Sequence, residues 1–154
     1  LPFPDGSFDH AWSQNVAMNI EDRATFYAEV RRVLRPGGRF AIQDVTLGES
    51  GPPTYPLMWA DRPSISFLRT PGETRVLLES AGFSVLHWED TTATAIAEIA
   101  AERARIAGMD KPPPPPVLGI HVIMGPSFRE RMANGNRAQA DGKTRLIAAV
   151  LQRD

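Results

Sequence analysis

Apolar positions along this chain switch between two rhythms. From about Glu21 to Leu34 they fall three and four apart, at Phe26, Tyr27, Val30, Val33 and Leu34, while Asp22, Arg23, Glu29, Arg31 and Arg32 take the opposite side. That spacing predicts an amphipathic helix, with Asn19 as its N-cap, Asp22 three residues on, and arginines at the end where carbonyls are exposed. Pro36, Gly37 and Gly38 read as its stop. The rhythm then shortens to two in RFAIQDV, Arg39 to Val45, where Phe40 and Ile42 alternate with Ala41 and Gln43, the pattern of a strand. Ahead of the helix, SFDHAW from Ser7 to Trp12 follows a Pro-Asp-Gly turn and reads as a first strand.

The alternation continues downstream. Thr70, Pro71 and Glu73 form a helix start with a capping box, the helix reaching about Ala81 and stopping at Gly82. FSVLHWED, Phe83 to Asp90, is a third strand. A third helix from about Thr92 to Ala107 is expected to bury Ile96, Ile99 and Ile106. Gly108 and the prolines Pro112 to Pro116 end it, the run serving as a stiff connector. The apolar segment Val117 to Met124 leads into a helix from about Ser127 to Ala140, and TRLIAAVLQR, Thr144 to Arg153, closes the chain as a fourth strand. Residues 48–72 form a long loop rich in proline and glycine that also holds Tyr55, Trp59 and Phe67, which marks a binding loop or lid on the substrate side.

Length and composition narrow the possibilities. The 154 residues suit one domain; 42% are hydrophobic, 23% are charged and the formal net charge is −1, which argues against disorder and against nucleic acid as a partner. With no cysteine and three scattered histidines, no metal site is expected. The longest apolar run is too short to span a bilayer and no secretory signal opens the chain, so the expectation is a soluble, cytoplasmic protein with no membrane partner.

Strand, helix, strand, helix, strand with tight helix-to-strand turns is a βαβαβ unit, one half of a doubly wound α/β fold. Ligands in such sheets lie beyond the carboxyl ends of the strands. Neither G-x-G-x-x-G nor a phosphate-binding loop occurs, and Gly37–Gly38 follows a helix, the wrong context for a cofactor cradle.

Three stretches in order, "LPFPDGSFDHAW", "EVRRVLRPGGRFAIQDV" and "FLRTPGETRVLLESAGFSVLHWED", resemble the C-terminal two-thirds of class I S-adenosylmethionine-dependent methyltransferases, particularly the small-molecule group with ubiquinone-biosynthesis and sarcosine/dimethylglycine-type enzymes. The resemblance covers most of residues 1–92, and the tail from Gly119 to Arg153 is similar to the family's last helix and last antiparallel strand. It implies a partial Rossmann-like class I methyltransferase fold, strands four to seven with their helices, in which residues 1–154 are the C-terminal portion of one domain. The N-terminal glycine-rich half, with its cofactor motif and ribose-binding acidic residue, is absent. The implied activity is methyl transfer from S-adenosylmethionine to a small-molecule acceptor in the intact protein, this chain alone lacking a complete cofactor site. The alternative is a non-catalytic remnant that binds a subunit or oligomerises.

The same resemblance selects Ser13, Gln14 and Asn15 for the methionine part of the cofactor, with Leu1 and Pro2 at the edge of the adenine region; polar capping of a strand end is the competing role for the first three. Asp44, at the carboxyl end of its strand, is expected either to face substrate or to cap a loop. Tyr55 and Trp59 are candidate walls of a substrate pocket or anchors of their loop. His121 lies in residues 108–125, a segment expected near the substrate, where a core or capping role competes; His10 is read as a hydrogen-bonded sheet histidine. Methyl transfer needs the nucleophile in line behind the methyl group, so no dedicated acid or base is assigned. Missing strands would leave an apolar sheet edge, and a homo-oligomer formed through it is expected.

Overall fold

The computed structural model describes residues 1–110 and 119–154; the proline run Pro112–Pro116 lies outside the described residues, as do Val117 and Leu118 of the following apolar segment. Four strands, β1 (Phe8–Gln14), β2 (Leu34–Leu47), β3 (Phe83–Asp90) and β4 (Thr144–Arg153), are connected by α1 (Arg23–Val33), α2 (Pro71–Ser80), α3 (Thr92–Ala107), α4 (Ile120–Met124) and α5 (Phe128–Ala140). The sheet order is β1-β2-β4-β3. β1 and β2 are parallel, while β4 runs antiparallel to both β2 and β3. The three early strands thus point the same way, and their carboxyl ends share one edge.

Alternation along β2 divides the molecule. Phe40 and Ile42 are buried with Tyr27 and Val30 of α1, Leu78 of α2 and Phe83 of β3, and with Ile147, Ala149 and Leu151 of β4. The Phe40 ring sits 6.5 Å from Tyr27 and 5.6 Å from Phe83, so tilted aromatic contacts join helix and sheet. Gln43 and Val45 point to the opposite face, toward α5. That face is roofed because adjacent antiparallel strands β3 and β4, which a short hairpin could have joined, are instead linked through α3, α4 and α5.

Several boundaries differ from the sequence reading. Asp22, not Asn19, caps α1: its carboxylate accepts from the Thr25 N–H at 3.0 Å and the Thr25 hydroxyl at 2.7 Å, while Asn19 ends a single 3-10 turn, Ala17–Asn19. The Pro36–Gly38 break belongs to β2, because Leu34 pairs with Phe8 and the register slips before Arg39 meets His10. In α3 only Thr92 is buried; Ile96 and Ile106 are each 38% exposed, since the helix leans on α5 and β4 and leaves its remaining apolar side uncovered among the described residues. The capping box of α2 and the left-handed Gly82 (φ 86°) are present as expected.

The loop 48–72 returns along the carboxyl edge. Leu47 N–H donates to Arg69 O at 2.8 Å and Gly48 N–H to Lys143 O at 2.8 Å, pinning both ends of the loop beside β4. At Gly48 an added Cβ would collide with the Gly142 carbonyl oxygen, a backbone atom, so the chain itself would have to shift. Gly48→Ala should therefore lose about 1–3 kcal/mol by overpacking, read as a lowered thermal midpoint; an unchanged midpoint would show that the loop is not held this closely.

Candidate functional site

The site grows from the turn that ends β1. Gln14 Nε2 donates to Gln43 Oε1 at 3.0 Å, and Asn15 N–H donates to Gln43 O at 2.8 Å, so β1 stays paired with β2 to its last residue. Asn15 then takes a left-handed conformation, φ 54°, which asparagine tolerates better than bulkier residues. The reversal aims the next two N–H groups back at β2, where Asp44 Oδ1 accepts from Val16 at 2.9 Å and Ala17 at 3.2 Å. Asp44 is 1% exposed. Burial pushes its proton affinity up to about 6, against the lowering pull of those two N–H groups and of Arg23.

Beneath the turn lies a buried polar cluster. Arg23 is 2% exposed and donates from Nη2 to Phe67 O at 2.9 Å and from Nη1 to Thr74 Oγ1 at 3.4 Å. Phe67 N–H in turn donates to Met18 O at 2.9 Å, so the start of α1, the end of the long loop, the first turn of α2 and the β1 turn are one unit. Burial raises the Tyr27 phenol beside them. Its hydroxyl, Asp44 Oδ2, Arg23 Nε and Ser13 Oγ find no hydrogen-bond partner among the described residues.

Two hollows flank the strand ends. On the α5 side a cavity of about 680 Å³ is walled by Asn15, Met18 and Asn19 from the turn, Gln43 and Val45 from β2, and Met58 and Trp59 from the loop, with α5 opposite. Trp59 is fixed by its indole N–H, which donates to Ser66 Oγ at 2.9 Å. Arg131 ties α5 to the loop, donating to Leu57 O at 2.6 Å, to Ser127 Oγ at 2.8 Å and to the Asp61 carboxylate. On the other side, along the free edge of β1, an apolar cleft of about 360 Å³ runs between Trp12 and the apolar face of α1.

The candidate residues separate accordingly. Leu1, Ser13 and Gln14 border the β1 cleft, while Asn15 and Trp59 border the larger cavity. Pro2 is exposed and walls neither. Asp44 lies under the turn rather than in either wall, the loop-capping alternative in geometric terms. Tyr55 is half-buried outside both hollows, and so is His121, whose ring meets Phe128 edge-on at 6.1 Å. Sequence reasoning passed over Met132, Gly135, Asn136 and Gln139, which form the α5 wall. Their three- and four-residue spacing was legible, and a stripe of amides and glycine in place of aliphatics is the signature of a helix over a wet cavity instead of a core. Among the described residues no three His, Cys, Asp or Glu side chains converge as a metal site, and no helix is long and apolar enough to cross a membrane.

An open edge of parallel strands, a polar turn beyond it and a roofed cavity define a doubly wound α/β ligand-binding domain. Residues 1–42 match the family model described as a methyltransferase domain. The chain is 34% identical over 92 residues to the sarcosine/dimethylglycine N-methyltransferase of Halorhodospira halochloris, an alignment covering 60% of this chain and 33% of that one. It is 33% identical over 91 residues to an O-methyltransferase of Aspergillus nomiae, covering 58% and 40% respectively. Among solved structures, phosphoethanolamine N-methyltransferase 2 of Haemonchus contortus, in complex with S-adenosyl-L-methionine, superposes with a TM-score of 0.67 at 17% identity over 98% of this chain and 34% of that one. Matched sequence and shared fold alike make this chain similar to S-adenosylmethionine-dependent methyltransferases, and the solved relative holds S-adenosyl-L-methionine. The chain's alignments span between a third and two-fifths of the length of these two curated relatives.

The residues present suit the polar end of such a cofactor: Gln14 and Asn15 present exposed amide side chains at the strand edge, beside the buried Ser13 hydroxyl, which has no partner among the described residues. The 154 residues contain no G-x-G-x-x-G turn.

Asp44 makes the turn sensitive to pH. An aspartate ordinarily ionises near 3.8; held protonated to about 6, the native state binds more protons than the unfolded state between those values. This contribution to stability is therefore fully present below about 3.8 and lost as pH rises through about 6. Asp44→Asn, which keeps an acceptor for Val16 and Ala17, should flatten the fall in urea midpoint over that interval. Asp44→Ala, which strands both N–H groups, should cost about 1–3 kcal/mol at every pH.

Proposed function

We propose that these residues form the C-terminal portion of a methyltransferase domain that transfers a methyl group from S-adenosylmethionine to a small-molecule acceptor. The observation that carries this is the turn Ser13–Asn15: it stands at the shared carboxyl edge, with a cavity on one side and an apolar cleft on the other. The cofactor meets Ser13, Gln14 and Asn15, with Leu1 and Pro2 at its far end. The acceptor enters the larger cavity past Trp59, with residues 48–72 and the described part of 108–125, around Ile120, on the substrate side. When bound, S-adenosylmethionine supplies an electrophilic methyl group. The chain's own residues orient the acceptor and exclude water, since the described walls of the cavity hold no carboxylate or histidine to serve as base.

In a nitrogen-15 NMR titration of the 154-residue chain, millimolar S-adenosylmethionine should shift the amides of Ser13 to Ala17, with no binding in the micromolar range. Shifts confined to another surface would overturn this placement, and micromolar affinity would overturn the view that the chain carries part of the cofactor site only.

A second reading, self-association, is favoured by the free edge of β1. Trp12 is 73% exposed there, and Phe8 and Val16 beside it are 38% and 39% exposed, with no strand covering that edge among the described residues. Sedimentation should detect oligomers of the chain, and Trp12→Lys should return it to monomer; a monomeric parent chain would rule this reading out.

A further inference from the structure

The larger cavity has a chemical preference written in its walls, and we infer that it takes an uncharged, hydroxyl-bearing fused-ring compound in preference to a small charged amine or amino acid. This rests on the reading of that cavity as the acceptor site.

Size is the first constraint. At about 680 Å³ the space suits a drug-sized ligand and is several-fold larger than dimethylglycine, which would leave most of the wall without contacts.

Charge is the second. Among the described residues the wall holds no carboxylate, so an ammonium group would enter without a counter-ion, at the desolvation cost of an unpaired ion. Among the described residues the wall's one charged side chain, Arg131, is already engaged: it is only 14% exposed, and each of its three nitrogens donates, to Ser127 Oγ, Leu57 O and the Asp61 carboxylate. An anionic ligand would compete with that brace, which also holds α5 to the loop.

The remaining wall is neutral and divided by type. Met18, Met58, Met132 and Trp59 supply polarisable surface that adapts to a flat ring. Amides at Asn15, Gln43, Asn136 and Gln139 supply hydrogen bonds without charge. Gln139 Oε1 is buried and has no partner among the described residues, so a turn of its amide toward the cavity would let it accept from a ligand hydroxyl.

One ring system carrying three charges tests this. Calorimetric titration of the 154-residue chain, without cofactor, would use 2-naphthol, 2-naphthoate and 2-naphthylmethylammonium, with dimethylglycine as the small zwitterion. Because no methyl transfer is measured, failure here and failure of the methyltransferase reading are seen separately. Naphthol should bind about tenfold or more tightly than either ion, and dimethylglycine should give no saturable heat. Gly135→Phe should abolish naphthol binding while holding or raising the thermal midpoint: nothing lies within 4 Å of the position its Cβ would take, and phenylalanine suits a helix better than glycine. Gln139→Glu, which changes charge at nearly constant shape, should weaken naphthol and strengthen the ammonium. Equal or tighter binding of either ion or of dimethylglycine, no binding of naphthol by the folded parent chain, or naphthol affinity unchanged in both variants would overturn the inference.

Discussion

The reach of Asp44 back to Val16 and Ala17 is the contact on which the site depends. Parallel strands end in carbonyl and N–H groups that have no further partner, and the chain leaving β1 must reverse sharply to enter α1. A single buried carboxylate oxygen satisfies two N–H groups of that reversal and so fixes where Asn15 and Asn19 face the cavity. Arg23 extends the constraint through Phe67 and Thr74 to the long loop and α2. The cluster leaves Asp44 Oδ2, Arg23 Nε and Tyr27 Oη unpartnered among the described residues, an arrangement more costly than an apolar core of the same volume. What it provides is position: four separate segments meet at one defined turn.

The two faces of the sheet are put to different uses by the alternation in β2. Phe40 and Ile42 belong to a closed aromatic and aliphatic core, which makes the sheet rigid. Gln43 and Val45, one residue away each, look into a space that α5 roofs without filling. A rigid sheet under a loosely lined cavity is the usual division between scaffold and site, since binding surfaces gain precision from the element behind them.

Much of the fold was legible because its signals are local. The capping box Thr70–Glu73, the stop at Gly82 and the alternation Phe40–Ala41–Ile42–Gln43 each involve residues a few positions apart. Asn19 was the expected cap of α1, and Asp22 takes that place because Asn19 is held in the turn that Asp44 organises. The Pro36–Gly38 break was expected as the helix stop but carries strand pairing, since the register of β1 against β2 is settled by strands brought together from a distance. In α3, periodicity promised a buried face that its neighbours cover only in part among the described residues, because a helix's apolar stripe says what could be buried and not what is present to bury it.

By itself, the sequence determined the alternating strands and helices, the resemblance to methyltransferases and the polar character of the turn after β1, because spacing, capping and motif order are encoded in neighbouring residues. The tertiary structure alone decided that β4 enters between β2 and β3, that Asp44 serves the turn from beneath, and that α5 turns Asn136 and Gln139 toward Gln43. Those outcomes join residues from 27 to 113 positions apart, where packing and the pairing of buried polar groups choose among arrangements that local propensity leaves equal.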